Sequence, residues 1–162
     1  MTSLARILYL YYVFIVLRGL AFFAPVWALF LQSKGFNVFW ITVMDIIFWI
    51  TIALAEIPTG SIADKVSRKI SILIGSFLVS SGVFIFGFAN NIWVFVSSYV
   101  IWAGGITFWS GADQAFLYDT LKSYKEENKY QQVYGRVLFL GMIATAVSSL
   151  FGGFLATFDL SF

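Results

Sequence analysis

Cysteine and histidine are both missing from this chain of 162 residues. Without cysteine there is no disulfide framework, no thiolate metal site and no thiol nucleophile. Without histidine the commonest proton shuttle and metal ligand is missing, which leaves any proton chemistry to carboxylates. Because the remaining residues suggest no nucleophile–base arrangement either, we expect a protein that is not an enzyme and that holds no metal or cofactor.

Charge is scarce as well, since Asp, Glu, Lys and Arg make up 11% of the chain, against about 25% in a soluble domain. Hydrophobic residues account for 60% and aromatic residues for 20%, and the mean hydropathy is +0.89. A soluble chain of this size could not bury so much apolar surface, so the lipid bilayer is the expected solvent. The net charge of +2 is too small, and too dispersed along the chain, to indicate a nucleic-acid partner.

Five apolar runs are long enough to cross a hydrocarbon core of ~30 Å as helices. They cover about residues 7–31, 38–62, 70–89, 92–118 and 137–158. The first run is much longer than the apolar core of a signal peptide, so we interpret it as a retained span. The fold class predicted is all-α, a polytopic transmembrane helix bundle of about five helices. Pro25 and Pro58 each lack a backbone donor and are expected to permit a kink in the first and second spans.

Basic residues predict the orientation of these spans. With the N-terminus in the cytoplasm, eight of the ten Lys and Arg residues fall on the inner side, Lys34 on the outer side and Arg18 within the membrane. The positive-inside rule therefore predicts a multi-pass protein of the cytoplasmic membrane with a cytoplasmic N-terminus. The polar segment 122–132 is expected to be a solvated, partly helical inner loop.

Four ionisable side chains lie at the predicted membrane depth, namely Arg18, Asp45, Glu56 and Asp113. A charge near the bilayer centre costs about 2.5–3.5 kcal/mol, so such residues usually face a cavity or a partner. The spacing of Asp45 and Glu56 puts both on one face of the second span, within reach of Arg18.

Two interpretations of these charges stay open. They form an internal ion pair that holds helices together, or they line a polar cavity that handles substrate and protons. Trp102, Trp109 and Asp113 fall within one stripe of the fourth span and suggest an aromatic cavity wall. Glu56 could equally be a structural anchor near the inner face.

Small residues predict where helices pack closely. Gly111 and Ala115 form a small-xxx-small pair on the fourth span, and Gly141 and Gly152 belong to a series of small residues on the fifth. Such faces let backbones approach in lipid, where no hydrophobic force drives helices together.

Residues 60–69 form a short, basic segment that is predicted to be a cytoplasmic loop between the second and third spans. Gly60, Asp64, Arg68 and Lys69 resemble the pattern G-x-L-A-D-[RK]-x-G-R-[KR] of major facilitator superfamily (MFS) transporters. Two positions depart from the pattern, since Ile62 replaces Leu and Ser67 replaces the Gly of a tight turn. Stretches 30–36, 56–60 and 110–119 also resemble one bacterial branch of this family.

A further motif of the family bears on the fifth span. Antiporters of this superfamily often carry G-P-x-x-G-G there, and this chain has Gly152 and Gly153 at its end. Ser148 and Ser149 stand where the motif has Gly-Pro.

The resemblance implies a secondary active transporter that works by alternating access, with proton-coupled efflux as one form. In such carriers two six-helix halves rock around a midplane site. By the same resemblance Gly60, Asp64, Arg68 and Lys69 would belong to a cytoplasmic gate that joins the halves in the outward-facing state. The expected partners are the lipid bilayer, a small-molecule solute and protons.

The resemblance further implies that the chain is a partial N-terminal half, truncated after about the fifth helix. We expect it not to transport without a missing C-terminal half of the carrier. Two alternatives stay open: a small homo-oligomeric transporter, and a non-transporting membrane scaffold or binding subunit.

Overall fold

The computed structural model describes residues 3–158, and these are helical almost throughout. The α-helices are α1 (Ser3–Gly19), α2 (Trp27–Ser33), α3 (Val38–Lys65), α4 (Arg68–Phe88), α5 (Ile92–Ser123) and α6 (Tyr130–Leu155), with a 3-10 turn at Glu127–Lys129. Residues 3–158 contain no strand. The all-α prediction is therefore confirmed.

Within residues 3–158, four helical segments are long and apolar enough to cross a membrane, judged by length and composition. They are α3, α4, α5 and the segment Glu127–Leu155. Their large apolar side chains are widely exposed, for example Leu54 at 74%, Phe77 at 72% and Leu150 at 76%. Exposed apolar surface on this scale is typical of helices that face lipid or a partner.

The predicted first span, 7–31, is divided between α1 and α2, with turns over residues 20–26. Pro25 has no N–H to continue a helix, and its ring disfavours the helical conformation at Ala24. The chain instead forms a local turn in which the Ala24 N–H donates to the Ala21 carbonyl at 3.0 Å. Pro25 therefore accompanies a complete break where the sequence predicted a kink, whereas α3 continues through Pro58.

Asparagine side chains cap the N-termini of two of the long helices. The Asn37 side-chain oxygen accepts the Trp40 N–H at 3.2 Å at the start of α3, and that of Asn91 accepts the Val94 N–H at 3.0 Å at the start of α5. Each satisfies one of the N–H groups that a helix leaves unbonded in its first turn.

The polar segment 122–132 is more helical than predicted. α5 continues to Ser123, a turn with Lys125 at φ 58° follows, and the 3-10 turn leads directly into α6. α6 therefore begins seven residues before the predicted start of the fifth span, at residue 130 rather than 137.

The helices form two compact units: one holds α1, α2, α6 and the end of α5, and the other holds α3, α4 and most of α5. In the first unit, small residues of α6 pack against the end of α1 and the turn after it. The buried Ser148 hydroxyl donates to the Gly19 carbonyl at 3.1 Å. A Cβ at Gly19 would lie 2.8 Å from Ala144 Cβ, and one at Gly152 would overlap the Phe22 carbonyl oxygen.

In the second unit, glycines bring the backbones of α4 and α5 into near contact. A Cβ at Gly75 would lie 2.7 Å from the Gly105 carbonyl oxygen, and one at Gly82 would lie 2.7 Å from the Trp102 backbone nitrogen. A Cβ at Gly105 would lie 2.7 Å from the Val79 backbone nitrogen. These approaches leave no room for a side chain, so van der Waals packing between backbones holds this helix pair.

The residues predicted to pack closely only partly coincide with these contacts. Gly152 does, and a Cβ at Gly141 would make an ordinary 3.5 Å contact with Ile15 Cγ2. A Cβ at Gly111 or Gly153 would meet no neighbouring atom within 4 Å in the described part of the chain. Ala115, the partner proposed for Gly111, is half-buried. Spacing along one helix does not reveal which side its neighbour occupies.

Candidate functional site

Residues 60–69, predicted as a loop, are helical except at two positions. α3 runs to Lys65 and α4 begins at Arg68, so only Val66 and Ser67 separate them. Ser67 adopts φ −179° and ψ 136°, an extended conformation open to any residue. The turn therefore accommodates serine, without strain, at the position where the MFS pattern has glycine.

An ion pair spans this break. Asp64 Oδ1, in the last turn of α3, pairs with Arg68 Nη1 in the first turn of α4. The two side chains are 63% and 31% exposed, and a pair this exposed contributes only ~0.3–0.5 kcal/mol to stability. The pair therefore adds little to the stability of the fold, and its charges are accessible to a further partner.

Asp64 and Arg68 line a pocket of about 550 Å³ in the second unit. α3 adds Glu56 and Gly60 to the wall, and no side chain fills the space above Gly60. The pocket thus holds two carboxylates and one guanidinium beside a helix break.

The facing wall of the pocket comes from α5 and was missed by sequence reasoning. It includes Thr107, Ser110 and Gln114, together with Gly111, which was predicted to pack against a helix. These positions follow the i, i+3, i+4, i+7 spacing of one helical face. A polar stripe on an otherwise apolar helix is the signal that could have identified them.

Trp109 and Trp102 lie in contacts between helices. Trp109 Nε1 donates to the Ile72 carbonyl at 3.3 Å and to Ser76 Oγ at 3.2 Å, both on α4. The Trp102 ring lies edge-on to Phe48, with centroids 5.0 Å apart. The indole of Trp109 therefore attaches α5 to α4.

Asp45 lies half-buried on α3, beside an aromatic cluster. Its carboxylate is close enough to the buried Tyr99 phenol to act on it electrostatically. Asp45 and Glu56 lie on one uninterrupted helix, about 16 Å apart along its axis. Asp45 is half-buried near Tyr99, whereas Glu56 is exposed at the pocket.

The other predicted charges lie elsewhere. Lys69 is exposed on α4, and it is not among the described residues that line the pocket. Asp113 is half-buried on α5, with Oδ1 fully enclosed. Arg18, in the last turn of α1, has its guanidinium carbon 5.7 Å from the centre of the Phe14 ring, a cation–π distance. An ion pair of Arg18 with an acid of α3 stays a prediction.

The amino-acid sequence is similar to that of a transporter. No family model and no solved structure matches the chain. The chain is 30% identical over 141 residues to the uncharacterised MFS-type transporter YxaM of Bacillus subtilis (strain 168). The match covers 84% of this chain but 35% of that protein, so the chain spans about a third of the length of this relative. The similarity and the four membrane-capable helices indicate a multi-pass membrane protein related to a transporter.

Proposed function

We propose that this chain is the N-terminal part of an MFS-type carrier, a secondary active transporter that moves a small solute by alternating access. The observation that carries the proposal is the Asp64–Arg68 pair at the α3–α4 break, at the positions of the family's gate pattern. The similarity to an MFS-type transporter over 84% of the chain supports it.

In this carrier the pocket beside the break would receive a group from the second half when the cytoplasmic side closes. The pocket walls carry Glu56, Asp64 and Arg68, two negative charges against one positive. Complementarity therefore favours a basic side chain, or the positive end of a helix, as the closing partner. Because the Asp64–Arg68 pair is exposed, exchanging it for such a partner costs little.

The same proposal assigns proton coupling to the carboxylates of α3. Asp45 is half-buried near Tyr99 and Glu56 is exposed at the pocket, so the two would meet a proton at different stages of the cycle. In a full-length carrier, such as the chimera described below, we expect Asp45→Asn or Glu56→Gln to uncouple transport from a pH gradient while leaving membrane insertion intact. Normal coupling in both variants would reject this assignment.

A chimera tests the transport proposal without knowledge of the substrate. The 162-residue chain replaces the matching segment of the Bacillus relative, and everted vesicles from the expressing cells are offered a whole-cell metabolite extract. Mass spectrometry then identifies solutes whose accumulation depends on the chimera and on an energised membrane. Vesicles with the 162-residue chain alone, at the same expression level, provide the comparison.

We expect energy-dependent accumulation with the chimera and none with the chain alone. Asp64→Asn in the chimera should lower accumulation about fivefold or more, the usual range when a contact couples two conformations. A chimera that inserts but moves no solute would contradict the carrier. Transport by the chain alone, together with crosslinked copies of it, would instead support a small homo-oligomeric transporter. Crosslinking to an unrelated protein without transport would support a scaffold.

A further inference from the structure

A second pocket, of about 540 Å³, lies in the other unit, between the start of α1, the end of α5 and the start of α6. Part of its wall is apolar and withdrawn from solvent: Leu121 and Val133 are buried, and Leu4 and Leu8 are half-buried. The rest is polar and mostly exposed, namely Tyr9, Tyr12, Gln132, Lys129 and Arg136, with the half-buried Glu126. The pocket is therefore amphipathic.

The charge of this pocket is positive. Lys129 Nζ pairs with Glu126 Oε2 at 2.7 Å, so these two charges offset each other. Arg136 is exposed and makes no ion pair with any residue in 3–158. Near the 3-10 turn, Lys122 and Lys125 add two positive charges, and Asp119 and Glu127 add two negative ones.

Tyrosines indicate the depth of this end in a bilayer. The Tyr118 and Tyr130 rings meet edge-on, with centroids 5.6 Å apart, and Tyr130 stacks on Tyr134 at the same separation. Lys122 Nζ lies 6.0 Å from the Tyr118 ring centre. Tyrosine is enriched where headgroups meet the hydrocarbon core, so a pocket bounded by the same helix ends lies at headgroup level.

We propose that this pocket binds the phosphate headgroup of an anionic phospholipid from the inner leaflet. Arg136 supplies the net positive charge and a forked donor for the phosphate, Lys129 supplies an ammonium donor that it shares with Glu126, and the apolar wall accepts the first methylenes of an acyl chain. Basic pockets between helices at the cytoplasmic face are suited to such headgroups. The inference rests on the membrane insertion and orientation of the proposed function but not on transport.

Lipid binding by the full 162-residue chain, purified in an uncharged detergent, tests the proposal. Native mass spectrometry gives the affinity for phosphatidylglycerol, for phosphatidylcholine and for inorganic phosphate. The pocket variant is Lys129→Gln with Arg136→Gln. The matched control, Lys122→Gln with Lys125→Gln, removes the same charge from the same end outside the pocket wall. Leu8→Trp fills the apolar side without changing the charge.

The pocket variant should weaken phosphatidylglycerol binding by about fivefold or more, because a basic residue near the surface contributes about 1 kcal/mol and the pairing with Glu126 reduces the contribution of Lys129. The control should change the affinity for phosphatidylglycerol about twofold or less, because salt screens charges that lie outside the pocket. Leu8→Trp should also weaken binding, and phosphatidylcholine should bind poorly to every form. Circular dichroism checks each fold, and Arg136→Lys, which keeps the charge but loses the forked donor, should weaken binding less than Arg136→Gln does.

Equal losses in the pocket variant and the control would overturn the site, since general surface charge would then explain binding. Equal affinity for phosphatidylcholine would overturn the anionic headgroup. Inorganic phosphate binding that depends on Arg136 but not on Leu8 would replace the lipid with a free anion. None of these results bears on the Asp64–Arg68 gate, which lies in the other unit and is tested by transport.

Discussion

The near contact of α4 and α5 predicts different effects for one substitution at two adjacent positions. Gly104 and Gly105 are neighbours in the middle of α5, but only Gly105 faces α4. A Cβ at Gly104 would meet no neighbouring atom within 4 Å in the described structure, whereas one at Gly105 would lie 2.7 Å from both Val79 N and Val79 Cγ2. Gly104→Ala is therefore a matched control for Gly105→Ala.

The expected magnitudes follow from these distances. Both variants gain helix propensity, up to about 1 kcal/mol for alanine over glycine. At Gly105 the new methyl group lies roughly 1 Å inside an ordinary contact of 3.5–4.0 Å, and overpacking of this kind costs about 1–3 kcal/mol. Because the nearest atoms include backbone of α4, the helices must separate, and this also strains the Trp109–Ser76 hydrogen bond. Gly105→Ala should therefore be less stable than Gly104→Ala by about 1–3 kcal/mol.

Equilibrium unfolding by SDS in mixed micelles measures this difference. Tryptophan fluorescence provides the signal, since Trp109 lies at the helix contact and should report its loss. Far-ultraviolet circular dichroism checks that both variants keep their helices before denaturation. Equal free energies of unfolding for the two variants would refute the close α4–α5 approach at Gly105.

Three further predictions concern other parts of the chain. Gly152→Ala should be less stable than Gly153→Ala by about 1–3 kcal/mol in the same unfolding assay, because only Gly152 lies against a neighbouring backbone; equal stability would exclude that contact. Ser67→Cys and Asn90→Cys, each the only cysteine in its variant, should react with an impermeant thiol reagent from opposite sides of sealed vesicles. Labelling from one side would contradict α4 as a span. Asp64→Asn should change the free energy of unfolding by less than about 0.5 kcal/mol, and a larger loss would mean that the pair stabilises the fold.

The sequence predicted the long helices well where the signal was continuous hydropathy. The start of α3 and of α5 matches the predicted span to the residue, and α4 begins within two residues of it. The first span was predicted less well, because apolar composition alone does not show that the chain around Pro25 leaves the helix. The segment 122–132 was predicted to be a partly helical loop. Most of its polar residues instead belong to the end of α5, the 3-10 turn and the start of α6.

The candidate site was predicted in part. The gate pattern pointed to Asp64 and Arg68, and these two side chains do form an ion pair and line a pocket. The facing wall from Ser110 and Gln114 was missed, because it depends on which side of α5 faces α3. The orientation of α5 about its axis also decides the place of Trp109. This residue was expected at a cavity, and its indole N–H instead donates a hydrogen bond to α4.

The sequence by itself determined the solvent, the helical class and the approximate ends of the long helices. Each of these depends on the composition of a single segment, since about 20 apolar residues must satisfy their backbone bonds internally in lipid. Tertiary structure alone decided which glycines pack, which residues face Asp64 and Arg68, and where the second pocket opens. Those features depend on the rotation of each helix about its axis, which neighbouring helices set by the close fit of their surfaces.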